Sequence, residues 1–132
     1  MRFGLIGKTL VHSFSPAIHS RIGDYEYKLY PLEPDKVAEF VRTADLDGFN
    51  VTIPYKKDVI PLCKEISARA EAISSVNTML RLPDGGWYGD NTDYDGFTYQ
   101  LGKDAETLKG KKALVLGSGG SSQTVQKVLF DC

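Results

Sequence analysis

Cysteine is scarce in this chain. Two occur in 132 residues, Cys63 inside a stretch that reads as helical and Cys132 at the last position. That is neither the spacing of a metal knuckle nor a disulfide framework, so both read as plain thiols. Charge of one sign is missing too. Sixteen Lys and Arg stand against 17 Asp and Glu, a formal net charge of -1, which offers no basic field to nucleic acid and no patch to an anionic bilayer. No apolar run approaches the roughly 20 residues of a membrane-spanning helix. The opening, "MRFGLIGKTLVHS", lacks the long apolar stretch and small-residue cleavage site of a secretory leader. These absences point to a cytoplasmic protein with a small-molecule partner. What is present, 42% hydrophobic and 25% charged residues, suffices for one good core.

Strands and helices take turns along the first half. "RFGLIG" (2–7) is a short apolar run, and "SPAIHSRI" (15–22) follows with a helix start signal, Ser15 as cap and Pro16 in the first turn. "YEYKLYPL" (25–32) alternates as a strand does. "DKVAEFVRTA" (35–44) places Val37, Phe40, Val41 and Ala44 at i, i+3, i+4 and i+7, the stripe of a helix packed on a sheet. "GFNVTI" (48–53) is a third strand, "PYKKDVIPLCKEI" (54–66) a predicted helix with Pro54 in its first turn, and "SARAEAIS" (67–74) a further short helix. Then the rhythm changes. "VNTMLRLP" and "WYGDNTD" flank "DGG" (84–86), a strong hairpin signal, so an antiparallel ribbon is expected at the edge of the sheet. "YDGFTYQLGKDAETL" (94–108) reads as a helix weakened by Gly96 and Gly102.

From Lys111 the pattern restarts. "KKALVLGSGGSSQTVQKVLFDC" is an apolar strand, Ala113 to Leu116, then a glycine-rich turn, then a helix with Val125, Val128 and Leu129 on one face. A dinucleotide-binding fold begins this way: the first glycine makes the tight turn, the second admits a pyrophosphate, and a third small residue lets helix and strand pack closely. Gly117 and Gly119 match, and Ser122 takes the small-residue place. A lone glycine turn of this kind occurs about as often without any ligand. Such a domain needs several βα units and a selector residue about 20 positions further on. The chain stops at Cys132, so the cofactor domain is expected to be only begun. One βα unit cannot bury its own apolar faces. It must dock on the first domain, pair with another copy, or stay disordered.

Five motifs in order, "HSFSPAIH", "FNVTIPYKK", "VNTM", "GDNTD" and "VLGSGG", resemble the N-terminal part of shikimate dehydrogenase, and the resemblance covers essentially the whole chain. It implies a substrate domain over 1–108 and the start of an NADP-binding Rossmann domain over 109–132. The expected fold is α/β: a three-layer α/β/α substrate domain with a mostly parallel sheet and an antiparallel hairpin edge, followed by a first Rossmann βα unit. The implied reaction is reversible NADP-dependent reduction of 3-dehydroshikimate to shikimate. This fragment is expected to bind substrate without turnover, since the nicotinamide has no complete site. Two alternatives stand beside it, a quinate/shikimate dehydrogenase of broader range and a non-catalytic small-acid binding module.

The resemblance assigns roles that elementary chemistry makes sensible. Ser13 and Ser15, two apart in an extended loop, can present both hydroxyls to one carboxylate. Lys56 matches the catalytic lysine of the N-V-T-x-P-x-K motif, with Asp93 beside it to orient and bond the substrate hydroxyl. A first-turn position and the neighbouring Lys57 would favour the neutral amine, the Asp93 carboxylate the ammonium. Lys57 itself is expected to point to solvent. Thr52, Asn77 and Thr92 would meet ring hydroxyls, and Asn91 reads as a turn residue. Gly117, Ser118, Gly119, Gly120 and Ser121 would cradle the cofactor phosphates. Two departures stand out: Ser20 where the family has Asn after the first-motif His19, and Tyr94 where it has Gly after "NTD". His19 is expected to be a helix residue and not a catalyst. Exposed apolar faces on an orphan βα unit would encourage a homodimer.

Overall fold

The computed structural model describes residues 1–132. The elements run β1 (Arg2–Gly7), α1 (Ser15–Ile22), β2 (Glu26–Pro31), a 3-10 turn (Pro34–Lys36), α2 (Val37–Thr43), β3 (Gly48–Val51), a second 3-10 turn (Ile60–Leu62), β4 (Glu65–Ile66), α3 (Ala68–Ile73), β5 (Thr78–Arg81), β6 (Trp87–Asp90), α4 (Asp93–Leu101), α5 (Asp104–Leu108) and α6 (Gly120–Asp131). Six strands form one sheet in the order β2-β1-β3-β5-β6-β4. β1 runs parallel to β2 and β3, and β4 runs parallel to β6, while β3–β5 and β5–β6 are antiparallel. The predicted hairpin is β5–β6, turned at Gly85 with φ +86°, a value glycine adopts without penalty. It is not the edge of the sheet. The two-residue β4 adds itself outside β6, too short to announce itself by alternation.

Alternation on the strands sorts the sheet into two unlike faces. Ile6, Phe49, Val51, Met79 and Trp87 point to one, where Val37 and Val41 of α2 close a core with Tyr55, Val59, Ala70 and Val76. Trp87 Nε1 donates to Val41 O at 2.7 Å, so the one buried indole N–H is satisfied. Phe49 meets Trp87 edge to face with centroids 4.8 Å apart. The other face carries Phe3, Leu5, Tyr27, Asn50 and Thr78, paired in register across the strands. α1 lies against this face, with His19 stacked on Tyr27 at 3.7 Å.

Four local expectations are corrected. Residues 54–66 do not form a helix: they make a run of turns and the second 3-10 turn before entering β4. Pro61 sits in the middle of that stretch, where it removes an amide donor and crowds the carbonyl four residues back. Ser15 does not cap α1. It is the first helical residue, and Ser13 Oγ accepts the Ser15 amide at 3.2 Å. The helix predicted over 94–108 is two, broken at Gly102 with φ +50°. Ala113–Leu116 pairs with no strand, and Leu114 and Leu116 are 85% and 87% exposed. A parallel strand is satisfied only by neighbours, and the six-stranded sheet offers it none. The helix of that unit does dock. α6 packs against α3 and α4, Val128 is buried, and Tyr94 Oη donates to Asp131 Oδ2 at 2.7 Å.

Candidate active site

Pro54 ends the sheet register of β3, and the chain turns so that Lys56 comes back over the strand ends. Lys56 Nζ donates to Asp93 Oδ2 at 2.5 Å, joining residues 37 apart in sequence. The lysine side chain is 13% exposed and the aspartate 40%, so the pair sits at the lip of a hollow. Asp93 is the first residue of α4, where the free amide ends favour a carboxylate. No helix begins at Lys56, so the predicted influence of a helix end on it is absent. Nor does Lys57 simply face solvent. With the Gln123 amide oriented so that its oxygen accepts, Lys57 Nζ donates to it at 3.0 Å while the amide nitrogen donates to Ile73 O at 3.1 Å.

Asn77, 8% exposed, organises the other half of the pair. Its Oδ1 accepts the Thr92 amide at 2.9 Å, Thr92 Oγ1 at 3.2 Å and Thr78 Oγ1 at 2.9 Å. Asn91 is buried, and its Nδ2 donates to Ser75 O at 2.8 Å. From Thr78 a polar line crosses the open sheet face. Asn50 Nδ2 donates to Thr78 Oγ1 at 3.3 Å, and Tyr27 Oη donates to Asn50 Oδ1 at 2.8 Å. Burial pushes the Tyr27 phenol up to about 12, so it remains a donor across the working pH range. His19 shares a hydrogen bond with Tyr25 Oη at 2.7 Å, and burial lowers its imidazole below the ordinary value. The sequence reading passed over Tyr27, Asn50 and Thr78. The available signal was a polar side chain on the same face of β2, β3 and β5, with β1 lying between the first two.

Ser13 and Ser15 come together with Thr52 around a hollow of about 340 Å³ that Thr9, Leu10 and His12 complete. Because Ser13 Oγ accepts the Ser15 amide, its own proton is free for a ligand. A second hollow of about 270 Å³ lies between Lys56, Lys57 and Pro54 on one side and Ser118 to Ser121 on the other. Thr52, Ile53 and Pro54 border the space between the two. The hydroxyl pair and the lysine therefore line adjoining hollows along one rim rather than a single chamber.

The glycine turn faces the lysine. A side chain at position 120 would meet Lys56 Cδ and Ser75 Oγ at 3.4 Å. Gly117 holds φ +129°, and a side chain at 117 or 119 would meet nothing within 4 Å. Gly119 precedes α6 with no side-chain cap, which leaves the first amides of a twelve-residue helix open to an anion. Ser122 is buried, as the small-residue place requires. These residues fit the diphosphate portion of a dinucleotide.

The family model for the shikimate dehydrogenase substrate binding domain matches residues 5–79. An NADP(+) shikimate dehydrogenase of Synechococcus sp. strain JA-3-3Ab is 43% identical over 128 residues, covering 91% of this chain and 43% of the relative. One from Clostridium perfringens strain ATCC 13124 is 40% identical, covering 98% and 50%. Among solved structures, shikimate dehydrogenase 1 of Peptoclostridium difficile superposes with a TM-score of 0.90 at 34% identity, over 99% of this chain and 53% of that one. Shikimate 5-dehydrogenase of Thermus thermophilus, solved in complex with shikimate, gives 0.85 at 33%, over 99% and 52%. The chain thus spans about half the length of the curated relatives it matches. With its family model matched across more than half its residues, its sheet shared with solved members and its lysine and aspartate joined at the strand ends, this chain belongs to the shikimate dehydrogenase substrate-binding domain family.

Proposed function

We propose that the chain is the shikimate-binding part of an NADP-dependent shikimate dehydrogenase, with 1–108 as substrate domain and 109–132 opening the nucleotide domain. The Lys56–Asp93 contact beside the glycine turn carries this reading. Ser13 and Ser15 donate to the substrate carboxylate. Thr52, Thr92 and Asn77 meet ring hydroxyls, Asn77 through its Nδ2, since its Oδ1 is already occupied by three donors. NADP, held at the diphosphate by Gly117 to Ser121, supplies or accepts the hydride when bound. In the direction of reduction, the Lys56 ammonium gives its proton to the carbonyl oxygen of 3-dehydroshikimate. In the reverse direction the neutral amine takes it from the shikimate hydroxyl. Asp93 keeps that hydroxyl in line and stabilises the ammonium after transfer. Site polarity of this kind discriminates sharply, because an analogue lacking a hydroxyl leaves buried groups unpaired.

We predict no turnover by the 132 residues alone, which span about half the length of the curated relatives they match. We place the protein in the cytoplasm. The structure contributes one fact to that, that no helix is long and apolar enough to cross a membrane. We also propose a homodimer, supported by exposed Phe14, Ile18, Ile22, Leu114, Leu116 and Phe130. Isothermal titration tests the main reading. Shikimate binds the parent chain, Lys56→Ala and Asp93→Asn each weaken it at least tenfold, and quinate serves as the comparator for substrate range. Affinity indifferent to both substitutions would refute the assignment.

A further inference from the structure

Arg69, on the short helix α3, belongs to none of the motifs, yet its guanidinium reaches both ends of the segment that carries Asp93. Nε donates to Asp90 Oδ1 at 2.7 Å and Nη2 to Asp90 Oδ2 at 2.5 Å, a two-pronged grip, while Nη1 donates to Asp95 Oδ2. Asp90 closes β6 and Asp95 lies in the first turn of α4, so Asn91, Thr92 and Asp93 run between the two anchor points. Asp90 Oδ1 also accepts Ser67 Oγ at 2.6 Å and the Asn91 amide at 2.7 Å. The grip on Asp90 is the sheltered arm. The Arg69 and Asp90 side chains are 31% and 15% exposed, against 64% for Asp95.

We propose that Arg69 is a positioning residue: by holding Asp90 and Asp95 together it fixes the Asn91–Asp93 turn, and so the place of the Asp93 carboxylate against Lys56 Nζ. A planar fork is what the task needs. It constrains the angle of the Asp90 carboxylate as well as its distance, whereas a lysine offers one point charge on a flexible stem. Ser67 Oγ supports the arrangement from the same helix start, since it also accepts the Ala70 amide at 3.1 Å. Only the consequence for shikimate rests on the function proposed above; the ordering of the turn does not.

The test uses the whole 132-residue chain and two readouts. Thr92 donates its amide to Asn77 Oδ1, so hydrogen exchange at that amide, followed by NMR, reports the turn without any ligand. In Arg69→Lys, Thr92 exchange accelerates at least tenfold while the β1 amides keep their protection. Asp95→Ala, on an exposed side chain, gives a smaller acceleration at the same amide and remains informative if the first variant does not fold. Shikimate affinity falls about tenfold in Arg69→Lys, and the preference for shikimate over its analogue lacking the C3 hydroxyl falls with it, which a loss of stability alone would not produce. Thr92 protection unchanged in both variants, or lost together with that of β1, overturns the positioning role. Parent protein that ignores shikimate while Thr92 still responds to Arg69→Lys overturns the substrate reading and supports the positioning role.

Discussion

Hydrogen bonds from the Arg69 guanidinium, helped by the Ser67 hydroxyl and the Asn91 amide, hold the Asp90 carboxyl down at about 2, against about 3.9 for an unperturbed aspartate. The folded protein therefore binds that proton less readily than the unfolded chain does. The stabilisation is fully present above about pH 4 and is lost as pH falls toward 2. Asp90→Asn is expected to lower the unfolding free energy at pH 7 by about 1 kcal/mol, after allowance for the water that reaches the pair. In denaturant melts repeated at pH 2, where the folded carboxyl is about half protonated, the difference from the parent should shrink. Cys63 behaves oppositely. Burial pushes its thiol up to about 11, and only the thiolate attacks an alkylating reagent. Iodoacetamide at pH 8 should modify the exposed Cys132 and spare Cys63, as peptide mass spectrometry would show. The Lys56–Asp93 meeting was legible only through the motifs that contain both residues. Arg69 was not legible at all: a lone arginine on a six-residue helix reads as a solvated charge, and its partner lies 21 positions away.

Elements were readable where side-chain periodicity had one cause. Gly48–Val51 and Val37–Thr43 emerged as expected because a strand covered by one helix needs only alternation on one and a 3.6-residue stripe on the other. The stretch 54–66 misled because its apolar spacing serves a core reached by turns. Tyr55 and Val59 are buried without a helix to carry them, and Pro61 was the sign to heed. β4 was invisible, since two residues have no period. The hairpin was clear from its glycines, and Gly85 makes it testable. Gly85→Ala forces a side chain into φ +86° and should cost about 1 kcal/mol in a thermal melt, although the added methyl group meets nothing. At the centre of the sheet Phe49, 3% exposed against Phe40 and Trp87, should cost about 3–5 kcal/mol when cut to alanine.

Across the whole molecule, burial thins toward the C-terminal part of the chain. The core that Ile6, Val41, Phe49 and Met79 share is contiguous through β1, α2, β3 and β5. α6 is held by Val128, the Tyr94–Asp131 hydrogen bond and the Gln123 bridge to Lys57 and Ile73. Amide exchange should follow the gradient: slowest in β1, β3 and β5, faster in α6, fastest over 109–118. Tyr94→Phe should speed exchange in α6 and leave the sheet untouched.

Ala113 to Leu116 spells a strand and lies bare, its two leucines in water and its backbone unpaired by any ladder. Such a ledge is adhesive, because any extended peptide laid along it gains hydrogen bonds and hides hydrocarbon in the same act. Solubility of the 132-residue polypeptide will then be governed by those four positions more than by its nearly balanced charge, and Leu114→Lys with Leu116→Lys should raise the concentration at which light scattering begins.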